Sequence, residues 1–481
     1  MSETAAPPRL RPPSIDALLR EGAAREPLAR YGREAVKEEL RRSIAAGAVE
    51  TAAVWAAASD ALAVRFASTL VRAINATGVL LHTNLGRAPL PADARDAAAE
   101  AAAGYSTVEY DRATGERGRR QDHVRSLVRD VFGCEDALAV NNNAAAVMLS
   151  LAALANGRSV LVSRGELVAI GGSFRIPEIL EASGARLLEV GTTNRTTADD
   201  YRRALTPDVA LILTVHPSNY EIRGYTRRPS AEELSGLARD ARIPWVHDQG
   251  TGCVVPLEEF GVAGEPTVAE CLAAGADVVT FSGDKLLSGP QAGILAGRAE
   301  LVSRAASHPV ARAVRPDKLT LAALAATLRG WKSGAWRGFP VYRAAAAPLA
   351  ELERRAAAIL ARAGSGVEGE VVVSQAAFGG GTSPEKLFES RALAVTAPGL
   401  SADQIATRLR AFARSVAPHD GAHVPVAPHD GAHVPVAPHD GARIPIVARV
   451  ERDRVLLDLR SILPDEDEHV SSALAALARV P

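Results

Sequence analysis

Lysine is almost missing from this chain. Only five occur in 481 residues (Lys37, Lys285, Lys318, Lys332 and Lys386), although lysine and arginine together number 55. Ordinary positive charge is therefore carried by arginine, which stays protonated under all working conditions. Cysteine is scarce as well. Cys134, Cys253 and Cys271 form neither an even set nor a metal-ligand spacing, which excludes a disulfide scaffold and fits a reduced, cytoplasmic setting. Aromatic residues make up 4% of the chain, so the core must be built from Ala, Leu and Val with close backbone packing. No uninterrupted apolar run reaches the roughly 18 residues a membrane span needs, and no span is expected. The opening Met1-Ser-Glu-Thr-Ala-Ala-Pro-Pro lacks an apolar core, so no secretory leader is expected either. A formal net charge of −1 creates no overall attraction to nucleic acid and leaves room for a local basic surface.

What is present divides into three parts, the number of domains that this length allows. Residues 1–72 carry apolar side chains at three- and four-residue spacing, as in Ile15-Asp-Ala-Leu-Leu-Arg and Glu34-Ala-Val-Lys-Glu-Glu-Leu, and predict a weakly basic helical module. From 73 to 340 short apolar runs alternate with longer helical stretches. Strands are predicted at 137–140, 159–163, 186–190, 210–215, 245–248 and 277–281. This alternation predicts an α/β domain with a mostly parallel sheet covered on both faces. Ligands bind such sheets beyond the carboxyl ends of the strands. Residues 341–481 predict a small α+β domain with a long helix at 344–363, a strand at 370–374, a helix at 401–414 and strands at 444–450 and 454–459. Within it a decapeptide recurs three times over 417–446, from Ala417-Pro-His-Asp-Gly-Ala-His-Val-Pro-Val426 onward, and holds five of the eleven histidines. A metal site is one reading. A loop lengthened by tandem duplication is the stronger one, since two prolines per unit block continuous helix or sheet and loops accept insertions at small entropic cost.

The lysine that stands out is Lys285, in Phe281-Ser-Gly-Asp-Lys-Leu-Leu-Ser-Gly-Pro-Gln-Ala-Gly293, directly after a buried strand. Where arginine supplies ordinary charge, a lysine in a glycine-rich turn suggests an amine that must lose its proton, as in a Schiff base. Four further features suit a phosphate-bearing aldehyde, pyridoxal phosphate. Asn141-Asn-Asn-Ala-Ala-Ala lies between a strand and a helix, and the N–H groups at Asn142, Asn143 and Ala144 would receive a phosphate. Asp248 closes a strand before Gln249-Gly-Thr-Gly252 and could hold the proton on a pyridinium nitrogen. Ser282 could add a hydroxyl to the phosphate, and His216, in His216-Pro-Ser-Asn-Tyr220, could meet the edge of the ring. Each has an ordinary reading alone: a surface lysine, a helix cap, a turn aspartate before glycine. Their order along the strand–helix alternation is more telling than any one of them.

These motifs resemble the bacterial L-seryl-tRNA(Sec) selenium transferases, the selenocysteine synthases, which are fold-type-I pyridoxal-phosphate enzymes. The resemblance is carried by Ile74-Asn-Ala-Thr-Gly-Val-Leu-Leu-His-Thr-Asn-Leu-Gly-Arg87, Tyr105-Ser-Thr-Val-Glu-Tyr-Asp, Gly115-Glu-Arg-Gly-Arg-Arg120, Ser163-Arg-Gly-Glu-Leu-Val-Ala-Ile-Gly-Gly-Ser-Phe-Arg-Ile-Pro177, Gly191-Thr-Thr-Asn-Arg-Thr and Asp317-Lys-Leu-Thr-Leu, together with the runs around Asn141, His216 and Lys285. It implies that Lys285 is the Schiff-base lysine. It implies that Arg87, Arg119, Arg312 and Arg315 receive the anionic selenium donor, selenophosphate. It further implies a homodecamer with shared active sites, residues 1–72 gripping tRNA, and replacement of the serine hydroxyl of seryl-tRNA(Sec) by selenium. Asp248-Gln-Gly-Thr-Gly departs from the more usual Asp-Leu-Gly-Ser-Gly, Gly379-Gly-Gly-Thr-Ser-Pro-Glu-Lys-Leu-Phe-Glu-Ser390 departs after its glycines, and the decapeptide repeat is no family feature. Ala169 and Ile170 provide no aromatic ring to stack on the cofactor near Gly171. Two other readings stay open: a related pyridoxal-phosphate lyase acting on a small amino acid or amino sugar, and a non-catalytic RNA-binding scaffold that has kept the fold.

Overall fold

The computed structural model describes residues 12–170, 174–217, 220–379, 381–382, 386–412 and 444–477. All of the decapeptide repeat except its last three residues lies outside them. The chain forms two compact units, residues 1–72 and 73–481.

The first unit is helical, with α1 (Ile15–Leu18), α2 (Arg25–Tyr31), α3 (Arg33–Ala45) and α4 (Thr51–Arg65). Val36 and Leu40 on α3 meet Val54, Ala58 and Leu62 on α4, each set at the four-residue spacing that lines one helix face. Buried Glu39 accepts from Arg42 at 2.8 Å and from Arg65 at 3.0 Å, and the Trp55 indole donates to Glu21 at 3.1 Å. The little polarity this core contains is thus paired.

The second unit has fourteen described strands: β1 (Ile74–Ala76), β2 (Asp136–Val140), β3 (Ser159–Ser163), β4 (Ala169–Ile170), β5 (Phe174–Arg175), β6 (Arg186–Val190), β7 (Val209–Val215), β8 (Trp245–Gly250), β9 (Val278–Ser282), β10 (Gly293–Gly297), β11 (Glu368–Ala377), β12 (Leu387–Thr396), β13 (Ile446–Glu451) and β14 (Arg454–Asp458). Seven form the large sheet, in the order β2-β10-β9-β8-β7-β3-β6. Only β10 runs antiparallel to its neighbours. The run of β7, apolar except for Thr214, has the composition a strand needs when helices cover both faces. Its side chains alternate, Leu211 and Leu213 joining the core on one face and Ile212 the core on the other. The helices α5 (Ala92–Ala103), α6 (Arg125–Phe132) and α7 (Asn143–Ala155) follow in chain order. Ala94 of α5 packs on Ala323 and Ala326 of helix Lys318–Lys332, the close alanine contact that few aromatics imply.

A second sheet, β1-β13-β14-β12-β11, packs on helices Leu349–Ala363, Ala402–Ala411 and Asp467–Leu477. Its edge strand β1 comes from residues 74–76, hundreds of positions upstream of the rest. Several local expectations need correction. The helix expected over 344–363 is two, Pro340–Ala346 and Leu349–Ala363, because Pro348 forces Ala347 into an extended conformation. The strand expected at 370–374 runs from Glu368 to Ala377, since it pairs along its whole length with β12, a strand the sequence pattern hides. The helix expected at 401–414 is described as Ala402–Ala411, started by a Ser401–Gln404 capping box.

One glycine decides how closely the large sheet meets α7. A Cβ at Gly293 would stand 2.0 Å from the Asn142 carbonyl oxygen and 2.8 Å from the Asn143 nitrogen. Gly293→Ala is therefore expected to cost about 1–3 kcal/mol, the range for overpacking a close contact. A lowered melting midpoint of the cofactor-free protein would be the check, and an unchanged midpoint would show that α7 can yield.

Candidate active site

The sheet register gathers the site. Val215 of β7, Asp248 of β8 and Thr280 of β9 lie side by side near the carboxyl ends of their strands. Oδ1 of Asp248 accepts from Nδ2 of Asn143 at 2.8 Å and from the Thr280 hydroxyl at 3.1 Å. Burial raises the pKa of this carboxyl, against the opposing pull of Asn143 and Lys285. Such a group gains from a cationic partner. Lys285 follows β9 in a tight turn, and its Nζ donates to the Gly250 carbonyl at 3.1 Å. The side chain is buried, and desolvation, helped by nearby Arg87, lowers its pKa while Asp248, Asp284 and Glu265 oppose the shift. The Trp331 indole (2.8 Å to Leu287 O) and the Tyr342 hydroxyl (2.7 Å to Leu286 O) anchor the turn from two separate helices. A surface lysine is therefore excluded.

The helix start lies beside this pair. Asn142 caps α7, its side chain accepting from the Ala145 N–H at 2.9 Å, so Asn143 and Ala144 open the helix. Val140, Gly293 and Ser282 form one row across β2, β10 and β9, which sets Ser282 two strands from the capped start. Oδ1 of Asn143 is buried with no hydrogen-bond partner among the described residues. An amine with a lowered pKa, a buried carboxylate short of a cation and a helix N-terminus match the three polar ends of pyridoxal phosphate: aldehyde, ring nitrogen and phosphate. The residues present fit that group. The side chain of Asn143 turns to Asp248, a contact that strand-and-helix patterning could not reveal.

The arginines separate. Arg119, Arg312 and Arg315 line one cleft of about 650 Å³, with Arg120 and Arg125 and three carboxylates, Glu109, Asp122 and Asp136. Arg315 donates to Glu109 at 3.3 Å and Arg125 pairs with Asp136. Among the described residues no carboxylate lies within ion-pair distance of Arg119 or Arg312. The cleft adjoins the helix start through Asn141, whose N–H donates to Val314 O at 2.8 Å. Arg87 stands apart from it. With a left-handed backbone (φ 61°), it pairs with Asp284 at 3.0 Å, next to Lys285.

His216 is held at two points. Its backbone N–H donates to Asp248 O at 2.9 Å, and Nε2 lies 3.1 Å from Oε2 of Glu265. A second cavity of about 280 Å³ opens beside it, with Arg195, Arg227, Arg228 and Lys386 in its lining. Neighbouring His247 is a structural residue. Its Nδ1 lies 2.8 Å from the Thr214 hydroxyl, and burial depresses its pKa to about 3, so it stays neutral. The sequence missed Glu265 and Asp284. Asp284 was legible as the neighbour of Lys285, whereas nothing in Gly264-Glu-Pro-Thr267 marks Glu265.

A family model described as L-seryl-tRNA selenium transferase matches residues 73–419, and one described as selenocysteine synthase N terminal matches residues 13–46. This chain belongs to the L-seryl-tRNA selenium transferase family. The L-seryl-tRNA(Sec) selenium transferase of Hyphomonas neptunium is 46% identical over 417 residues, covering 83% of this chain and 90% of that protein. That of Geobacter sulfurreducens is 41% identical over 484 aligned positions, covering 97% and 98%. Among solved structures, a D-glucosaminate-6-phosphate ammonia-lyase superposes with a TM-score of 0.55 at 20% identity over 85% of this chain and 96% of that one. At that identity the likeness speaks for the fold alone. The Gln249 and Thr251 side chains both bond to Glu265, so the two departures in Asp248-Gln-Gly-Thr-Gly have a common local partner.

Asp248 allows a test of sign. Its pKa is raised above the unfolded value, so the ionised carboxylate costs stability above the folded pKa, and that cost fades as pH falls through it. Asp248→Asn keeps an Oδ1 acceptor for Asn143 and Thr280. Without cofactor, the variant is expected to melt above the unmodified protein at pH 7, with the gap closing toward about pH 4, the ordinary carboxyl range. Equal melting midpoints at pH 7 would contradict a carboxylate under desolvation stress.

Proposed function

We propose that this chain replaces the serine hydroxyl of seryl-tRNA(Sec), lost as water, with selenium from selenophosphate, whose phosphoryl group leaves to water as inorganic phosphate, and releases selenocysteyl-tRNA(Sec), using pyridoxal phosphate held at Lys285. The observation that carries this reading is the convergence of Lys285, Asp248 and the Asn142-capped helix start, in a chain of this family.

Bound pyridoxal phosphate supplies a ring that takes up the electron pair left when the α-proton is removed. The chain's own residues do the rest. The Nζ of Lys285 would hold the aldehyde and, when free, would take the α-proton of the seryl group as a general base. Burial favours its neutral form, the form that can accept a proton. The Asp248 carboxylate would hold the proton on the ring nitrogen. Asn142, Asn143 and Ala144 present N–H groups to the phosphate, Ser282 adds a hydroxyl, and His216 meets the ring edge. The substrate is an ester without a free α-carboxylate, so the arginines need not clamp one. Arg119, Arg312 and Arg315 in their cleft, with Arg87 beside Lys285, suit the anionic selenium donor. Residues 1–72 are read as the tRNA-gripping module, matched in part by the N-terminal family model. The assembly is read as a homodecamer at work in the cytoplasm. No helix of the described residues is long and apolar enough to cross a membrane.

Two outcomes follow. Lys285→Ala is expected to lower conversion of seryl-tRNA with selenophosphate by at least the roughly 10²–10⁴-fold that a lost general base costs, and to remove the long-wavelength absorbance of the bound cofactor. A variant that kept that absorbance would take Lys285 out of its role. Deleting residues 1–72 is expected to abolish the mobility shift with seryl-tRNA while cofactor absorbance persists, and undiminished tRNA affinity would reject the assigned module.

A further inference from the structure

One buried carboxylate next to the site has no part in the chemistry above. Glu265 is 3% exposed. It receives Nε2 of His216 at 3.1 Å, the Thr251 hydroxyl at 2.7 Å and Nε2 of Gln249 at 3.3 Å. Gln249 is held in turn by the Pro266 carbonyl at 3.0 Å. Burial opposes ionisation of Glu265, yet His216, Thr251 and Lys386 outweigh it and keep the carboxyl below its usual range. An ionised carboxylate accepts hydrogen bonds only, so the His216 nitrogen facing it must carry the proton. The imidazole is thereby fixed with Nε2–H toward Glu265, while the backbone of the same residue is fastened to Asp248 O at 2.9 Å. A ring held this way offers only Nδ1 to whatever lies in front of it, the arrangement by which a carboxylate sets the tautomer and orientation of a working histidine.

We propose that Glu265 is a positioning residue, which locks the His216 imidazole so that Nδ1 serves the polar edge of the cofactor ring and thereby tunes protonation of the Lys285–cofactor linkage. The inference rests on the cofactor reading given above. It also accounts for Gln249 and Thr251, since both hold Glu265 in place. Among the described residues the other titratable or charged groups about the pair include Asp248, His247, Glu166, Lys285, Arg228, Lys386, Cys253 and Cys271, and the test leaves all of them in place.

The test is a pH titration of cofactor absorbance in the loaded protein, with the cofactor dissociation constant measured alongside. Glu265→Gln keeps size and an acceptor oxygen but loses the charge. The linkage's protonation midpoint is expected to fall by about half a unit or more, a fraction of what a directly adjacent charge gives. Cofactor binding is expected to weaken about tenfold, the scale of one lost bond to a charged group. His216→Asn is expected to shift the midpoint by itself, and adding Glu265→Gln to it to shift the midpoint no further. Should Glu265→Gln not fold by circular dichroism, Glu265→Asp, which keeps the charge but cannot reach, carries the same expectation. An unmoved midpoint in the folded variant, or full additivity with His216→Asn, overturns the inference and leaves the cofactor site standing. Absence of any cofactor band in the unmodified protein would instead remove the site reading itself, and this inference with it.

Discussion

An amine and a carboxylate are buried together at the end of one sheet, and the rest of the large unit is arranged to keep them there. Neither Lys285 nor Asp248 is comfortable in that place. Burial pushes the lysine toward its neutral form and the aspartate toward its protonated form. Each moderates the other, but burying an ion pair rarely gains more than desolvation costs. The arrangement persists because strong neighbouring structure holds it. Three adjacent parallel strands align Val215, Asp248 and Thr280, and two aromatic side chains from separate helices fasten the lysine turn. Strain of this kind, stored where a ligand binds and offset by ordinary packing elsewhere, is what a preorganised site requires.

The antiparallel strand β10 is the second constraint. It lies between β2 and β9, and so between the strand that leads into the asparagine-capped helix and the strand that leads into Lys285. Its first residue must be glycine, because the α7 backbone passes within 2.0 Å of where a side chain would begin. The spacing between the capped helix start and the lysine is thus set by backbone contact, which is stiffer than any side-chain contact could be.

Much of this was legible in the sequence, and the reasons are local. A buried parallel strand declares itself as a nearly continuous apolar run, so β7 could be placed within one residue, whereas β8, expected at 245–248, runs on through the polar Gln249 to Gly250. Lys285 stood out because arginine carries nearly all the other positive charge. β12 could not be read, because Leu387-Phe-Glu-Ser-Arg-Ala-Leu-Ala-Val-Thr396 mixes polar and apolar residues without a clean alternation, and its strand character comes from pairing on both sides. β1 pairs with β13 across most of the chain, a long-range choice that no local window contains. Glu265 was invisible for a related reason. Its meaning lies in His216, 49 positions away in sequence, and a lone glutamate before proline looks like any loop residue.

The imbalance between the two basic residues also has a physical reading. A site that removes and returns a proton needs a cation able to stop being one, and an anionic donor needs cations that never do. Arginine cannot perform the first task and lysine in a buried place cannot be trusted with the second, because the same desolvation that frees its proton would discharge it. The structure keeps the two apart. The cleft with Arg119, Arg312 and Arg315 adjoins the helix start through Asn141 and Val314, while Lys285 sits under the carbonyl of Gly250. Among the described residues Arg87 is the permanent cation that acts on the amine, and its pairing with Asp284 limits how far it can push the lysine's proton away. Exchanging them, with lysines in the cleft and an arginine at 285, would conserve net charge but lose both the cations that cannot discharge and the amine that can.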